Sequence, residues 1–130
     1  MDKLISIVLP VYNGERFLRE SIDSIRRQTY TGWELIIVDD CSSDATPDIA
    51  KEYASADSRI HYYRNEANLK LPRTLNKGFS LARGDYLTWT SDDNRFQHQA
   101  LDKMLNKLLS DPEAQVVYAA YQLIDEKGNT

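Results

Sequence analysis

Cysteine is nearly absent from this 130-residue chain. Cys41 is the single one, which excludes an internal disulfide and a multi-cysteine zinc site and suits a reducing compartment. Glycine is scarce as well. The five glycines fit neither G-x-G-x-x-G nor G-x-x-x-x-G-K-[ST], so neither glycine-rich phosphate cradle is present. An excess of positive charge is also missing: 16 basic against 20 acidic side chains give a net charge of −4 and a pI near 5.1. That balance disfavours nucleic acid as a partner. No apolar run reaches membrane length. The opening "MDKLISIVLPVYN" is interrupted by Pro10 and Asn13 and has no small-residue cleavage site, so it reads as a first strand rather than a leader or transmembrane segment. A cytoplasmic location is expected, and membrane attachment of a full-length protein stays compatible with it. The two histidines, His61 and His98, lie far apart without H-E-x-x-H spacing and read as a strand and a loop residue rather than metal ligands.

What is present suits one globular domain, with 42% hydrophobic and 28% charged residues. Ile5 to Val11 is rich in Ile, Leu and Val without clean alternation, as in a strand buried on both faces of a parallel sheet. Phe17, Leu18, Ile22 and Ile25 then recur at helical spacing. Trp33 to Val38 is a second buried strand, and Thr46 with Pro47 behind it predicts a helix start running to about Ala56. Ile60 to Arg64 is a third strand. Pro72 opens a helix that carries Leu75, Phe79 and Ala82 on one face and stops before Gly84. Tyr86 to Thr90 is a fourth strand, Leu101 to Leu108 an amphipathic helix, and Val116 to Ile124 a fifth strand. Tryptophans and tyrosines in these strands are expected in the core. Strands alternating with helices predict an α/β fold: a doubly wound, mostly parallel sheet with helices on both faces. The closing "LIDEKGNT" has the hairpin chemistry of Gly128-Asn129 without a returning strand. It reads either as a chain cut short or as an ordinary frayed end.

Ligands of open α/β sheets bind at the carboxyl ends of the strands. Tyr12, Asn13, Asp39, Asp40, Asp92 and Asp93 stand there. The adjacent acids of "SDDN", Ser91 to Asn94, repel each other unless a cation joins them. Mg²⁺ or Mn²⁺ takes one or two carboxylates and fills its shell with phosphate oxygens and water. The plainer role for either acid is to cap the helix near Gln97. Asp40 has two readings of its own. An ionised carboxylate only accepts hydrogen bonds, so against a nucleobase it selects a ring N–H such as N3–H of uracil and rejects cytosine. Alternatively it closes an Asx turn in "DDCSSD".

The stretch "VLPVYNGERFLRESIDSIRRQTYTGWELIIVDDCSSDAT", followed by "LNKGFSLARGDYL" and "SDDN", resembles the nucleotide-binding half of family 2 glycosyltransferases, which have the GT-A fold, a Rossmann-like α/β architecture. The resemblance runs from Ile5 to about Tyr121. It implies that residues 1–130 form a nucleotide-sugar-binding domain that ends before the acceptor-binding, catalytic-base portion. It further implies that Pro10, Val11 and Tyr12 lie against the uracil of a UDP-sugar, with Glu15 close to the nucleotide. By the same resemblance Asp40 accepts from uracil N3–H, Lys70 or Arg73 approaches the base or diphosphate, Asp92 faces the ribose or sugar, and Asp93 binds Mn²⁺ or Mg²⁺. The implied activity is inverting transfer of the sugar to a saccharide or other hydroxyl acceptor. The later carboxylate that serves the family as general base has no counterpart here, and Asp92 and Asp93 stand on the wrong face to replace it. The fragment alone is therefore expected to bind donor without efficient transfer. "LIIVDD" also resembles the first acidic strand end of phosphoacceptor receiver domains. That rival is weakened by the strand and helix that precede it here.

Overall fold

Two apolar runs, β1 (Ile5–Val11) and β2 (Trp33–Asp39), lie side by side in parallel, and every one of their seven residues each is buried. Burial on both faces is why their sequences run apolar rather than alternate. The structure is a computed structural model and describes residues 3–117, 119 and 122–129. β3 (Ile60–Arg64) pairs with β2, and β4 (Tyr86–Trp89) pairs with the other side of β1. The resulting order is β3-β2-β1-β4, parallel throughout.

Handedness places the helices. The connections through α1 (Leu18–Arg26) and α2 (Thr46–Ala56) step the sheet one way, whereas α3 (Leu71–Leu81) carries the chain back past β1 to β4. Right-handed crossovers therefore put α1 and α2 on one face and α3 on the other. Side chains agree. Ile5, Ile7, Leu9, Leu35 and Ile37 share a core with Leu18, Ile22 and Ile25 of α1, with Ile49, Ala50 and Tyr53 of α2, and with Leu101 and Leu105 of α4 (Ala100–Leu109). Opposite, α3 sits so close that a Cβ on Gly78 would clash with Val8 and lie 3.3 Å from Val38. The expected doubly wound α/β fold is present.

Pro10 decides where β4 leaves the sheet. In a parallel ladder alternate residues bond to each neighbour. Ile5 N donates to Gly32 O on the β2 side, and Val8 O accepts from Thr90 N at 2.9 Å on the β4 side. Residue 10 also faces β4, but proline has no N–H to offer. Pairing stops there, and Ser91 to Asn94 leave the sheet.

Some expectations are corrected. No fifth strand forms among the described residues of 116–124; Tyr118, Ala120 and Tyr121 of that stretch lie outside them. Val116 and Leu123 are 81% and 83% exposed. An apolar pattern makes a strand only where an edge completes its ladder and a face takes its side chains. Thr46 does not cap α2 with its hydroxyl, which instead accepts from Gly14 N at 2.9 Å; Asp44 Oδ1 receives the Thr46 amide at 2.9 Å. Trp33 is buried as expected, yet Trp89, on edge strand β4, is 48% exposed.

Candidate functional site

The strand order reverses at β1, between β2 and β4, so the crevice for a ligand opens above the carboxyl ends of β1 and β4. Four loops meet at that end of the sheet. Those after β1, β2 and β3 each contain a non-glycine residue with positive φ: Asn13 (51°), Cys41 (66°) and Lys70 (73°). Such backbone strain persists only where surrounding bonds hold it.

Those bonds tie the loops together. Asn13 N donates to Ser42 Oγ at 2.8 Å, and Asn13 Oδ1 accepts from Ser43 N at 2.8 Å. Glu15 N donates to Asp44 Oδ2 while Glu15 Oε2 accepts from Ala45 N at 3.1 Å, so the loop after β1 and the loop before α2 bind each other reciprocally. The "SDDN" loop is held from α1: Ser21 Oγ donates to Ser91 O at 2.9 Å, Ser24 Oγ accepts from Phe96 N, and buried Gln28 bonds to Gln97 O and Leu101 N. Asp92 then lies directly on Gly14. A Cβ added at Gly14 would stand 2.7 Å from the Asp92 carboxyl carbon, so only glycine allows this approach.

The two acids after β2 point to different tasks. Asp39, fully buried, accepts from Tyr62 Oη at 2.6 Å, Arg64 at 2.9 Å and Ser42 N at 2.9 Å. It joins β2 to β3. Burial, then the bond to Asp39, pushes the Tyr62 phenol up to about 12. Asp40, 5% exposed, faces the loop after β3. Its Oδ1 accepts from Asn65 Nδ2 at 2.9 Å and Leu69 N at 2.7 Å, and its Oδ2 from Lys70 N at 3.0 Å. Burial alone would raise the Asp40 carboxyl, but the donors Leu69, Asn65, Lys70 and Thr74 outweigh it and hold it below the usual carboxylate range. Two of the three placed bonds fall on Oδ1 and one on Oδ2, with Thr74 a further donor beside the carboxylate.

Pro10 and Val11 are buried at the end of β1, and Tyr12 beyond them is 53% exposed. Lys70 and Arg73 have exposed side chains at the start of α3, and Lys70 reaches Asp40 through its backbone amide alone. Asp92 is half-buried, and burial, then the charges of Asp93 and Asp44, raise its carboxyl. Asp93 is exposed and accepts from Ser91 Oγ at 2.7 Å through Oδ1. It lines a cavity of about 160 Å³ with Phe17, Arg95 and Glu126. Asp92 therefore joins the β1 loop directly, and Asp40 joins it through the β2 loop. Among the described residues no three His, Cys, Asp or Glu side chains gather to hold a metal. The adjacent acids fit a cation that takes its other ligands from phosphate and water. His61, in β3, and His98, in an exposed turn, do not meet there.

Sequence reasoning missed Asn65, Thr74 and Lys77. Asn65 Nδ2 also donates to Thr74 Oγ1 at 3.2 Å, and Asn65 Oδ1 accepts from Lys77 Nζ at 3.0 Å. The three-residue spacing of Thr74 and Lys77 places both on one helix face, a signal available beforehand, but nothing local linked that face to Asn65.

This arrangement defines a doubly wound, Rossmann-like α/β protein with an acidic crevice at its switch point. The family model for glycosyl transferase family 2 matches residues 6–130, and the chain belongs to that family. An uncharacterized glycosyltransferase of Rickettsia typhi is 40% identical over 98% of this chain and 39% of its own length. TuaG of Bacillus subtilis, whose name assigns it to teichuronic acid biosynthesis, is 31% identical over 96% of this chain and 49% of its own. The chain spans half or less of the length of these relatives. Among solved structures, S. aureus TarS in complex with UDP-GlcNAc matches with a TM-score of 0.76 at 24% identity, over 82% of this chain and 31% of that one. The mannosyltransferase PcManGT from Pyrobaculum calidifontis, in complex with GDP-Man and Mn²⁺, matches at 0.75 and 23% identity, over 83% and 32%. The fold is GT-A. No helix among the described residues is long and apolar enough to cross a membrane.

Proposed function

We propose that residues 1–130 are the nucleotide-sugar-binding domain of an inverting, metal-dependent glycosyltransferase that moves a sugar from a UDP-sugar to a hydroxyl of a saccharide or other acceptor. The observation that carries this reading is the junction of the two acidic loops, with Asp92 seated on Gly14 of the very loop that Ser42 and Thr46 bind. The UDP-GlcNAc complex of TarS supports it. The naming of TuaG for teichuronic acid biosynthesis supports polysaccharide synthesis as the use of the reaction.

In this reading Asp40 accepts the ring N–H of uracil through Oδ2, the oxygen that carries fewer of the bonds from Asn65, Leu69 and Lys70. Pro10, Val11 and Tyr12 form the surface beside the base, with Glu15 near the nucleotide and Lys70 or Arg73 offering positive charge to base or diphosphate. Asp93 holds the cation and Asp92 faces ribose or sugar. When bound, Mn²⁺ or Mg²⁺ supplies positive charge against the departing diphosphate. The general base comes from outside these residues, so this chain positions donor without completing transfer.

Guanine also carries a ring N–H, and PcManGT was solved with GDP-Man, so GDP is the second donor class for the same site. Calorimetric titration with UDP, GDP, CDP and ADP, each with and without Mn²⁺, tests the reading. UDP should bind tightest, CDP should be rejected, Mn²⁺ should strengthen UDP binding, and Asp93→Asn should abolish that strengthening. Equal affinity for UDP and CDP would refute the base assignment. Preference for GDP would transfer it to the second class.

A further inference from the structure

Lys77 spends its ammonium on a neutral group. Its Nζ donates to Asn65 Oδ1 at 3.0 Å, and it takes part in no ion pair among the described residues. An ammonium only donates, so it must face the carbonyl oxygen of the Asn65 amide and turn the NH₂ the other way. The NH₂ then falls on Asp40 Oδ1 at 2.9 Å and Thr74 Oγ1 at 3.2 Å. Asn65 is 1% exposed, so its oxygen has little access to water in place of Lys77. An orphaned buried acceptor is costly, and the amide would rotate to relieve it.

The consequence reaches the ligand side of Asp40. With Asn65 Nδ2 and Leu69 N on Oδ1 and Lys70 N on Oδ2, the carboxylate plane is set and Oδ2 is the oxygen that carries fewer of these bonds. We infer that Lys77 is a positioning residue for base recognition. Acting through Asn65, it orients Asp40 so that a base with a ring N–H is accepted and a base with a bare ring nitrogen is refused. This rests on the nucleotide reading proposed above and extends it to a residue that touches no ligand.

Three variants of the full chain test it: Lys77→Met, which keeps length and loses the charge, Lys77→Arg, which keeps a donor, and Lys77→Gln. For each, UDP and CDP affinities are measured in Mn²⁺ by calorimetry beside thermal unfolding, and the Asn65 side-chain amide is followed by nitrogen-15 NMR. In Lys77→Met and Lys77→Gln, UDP affinity should fall about tenfold with CDP affinity changed less than about twofold, as expected for one misaligned charged hydrogen bond. The Asn65 amide signals should move in both, and Lys77→Arg should restore most of the discrimination. A wild-type preference for UDP over CDP that survives unchanged in Lys77→Met and Lys77→Gln, even with lowered melting temperatures, overturns this inference alone. Absence of that preference in the wild-type chain overturns the nucleotide reading and this inference with it.

Discussion

Asp40→Ala probes how far the loop after β3 depends on one carboxylate. The substitution removes the acceptor of three donors: Asn65 Nδ2, Leu69 N and Lys70 N. Asn65 is 1% exposed, and its NH₂ would keep only Thr74 Oγ1, a loss of about 1–3 kcal/mol for a stranded buried donor. The Leu69 and Lys70 amides are part-buried and recover water, so each contributes about 0.5–1 kcal/mol. Relief from burying a charge offsets some of this, and a net loss of about 2–4 kcal/mol follows. Its pH dependence is specific. The Asp40 carboxyl titrates lower in the folded chain than unfolded. Its stabilisation is therefore complete above the unfolded value of about 3.9 and fades as pH falls through the lower folded value. Urea unfolding of wild type and variant at neutral pH and at several steps below about pH 4 should show a gap that narrows with acid, at matched slopes. A neutral-pH gap under about 0.5 kcal/mol, or one that persists undiminished into strong acid, would refute the reasoning.

Gly14→Ala should cost about 1–3 kcal/mol by overpacking, since the new methyl meets Val11 and the Asp92 carboxyl; urea unfolding measures the stability, and weaker Mn²⁺ enhancement of UDP binding should accompany it. Tyr62→Phe should lose about 1 kcal/mol, because fully buried Asp39 loses its 2.6 Å donor while keeping Arg64 and Ser42 N. Ultraviolet titration should find the wild-type phenol ionising near 12. Since that value lies above the ordinary one of about 10, the stabilisation from Tyr62 should hold below about pH 10 and be lost as pH rises toward 12.

The buried strands were legible because each announces itself without help from distant residues. β1 and β2 are dominated by Ile, Leu and Val, with Ser6, Glu34 and Asp39 as buried polar exceptions, since helices cover both their faces. Proline near the start of α2 and α3 marked both helices correctly. Thr46 misled because its hydroxyl accepts from Gly14 N, in the loop after β1, rather than from its own helix. The stretch 116–124 misled because apolar composition states only a capacity for pairing, and no described residue there lies in a strand. Trp89 stayed half exposed because β4 is the last strand on its side of the sheet among the described residues.

Local order along the chain was enough to determine the alternation of strands and helices, the two acidic strand ends and the membership of a family, because those depend on periodicity and short-range motifs. Which acid does what was decided only by tertiary structure. Asp39 and Asp40 are neighbours in sequence, yet successive strand residues point to opposite sides. One is consumed by Tyr62 and Arg64, and the other is shaped by Asn65, Leu69 and Lys70. Those partners lie more than twenty positions away, and only the crossing of α3 to the far face of the sheet brings Lys77 into their company.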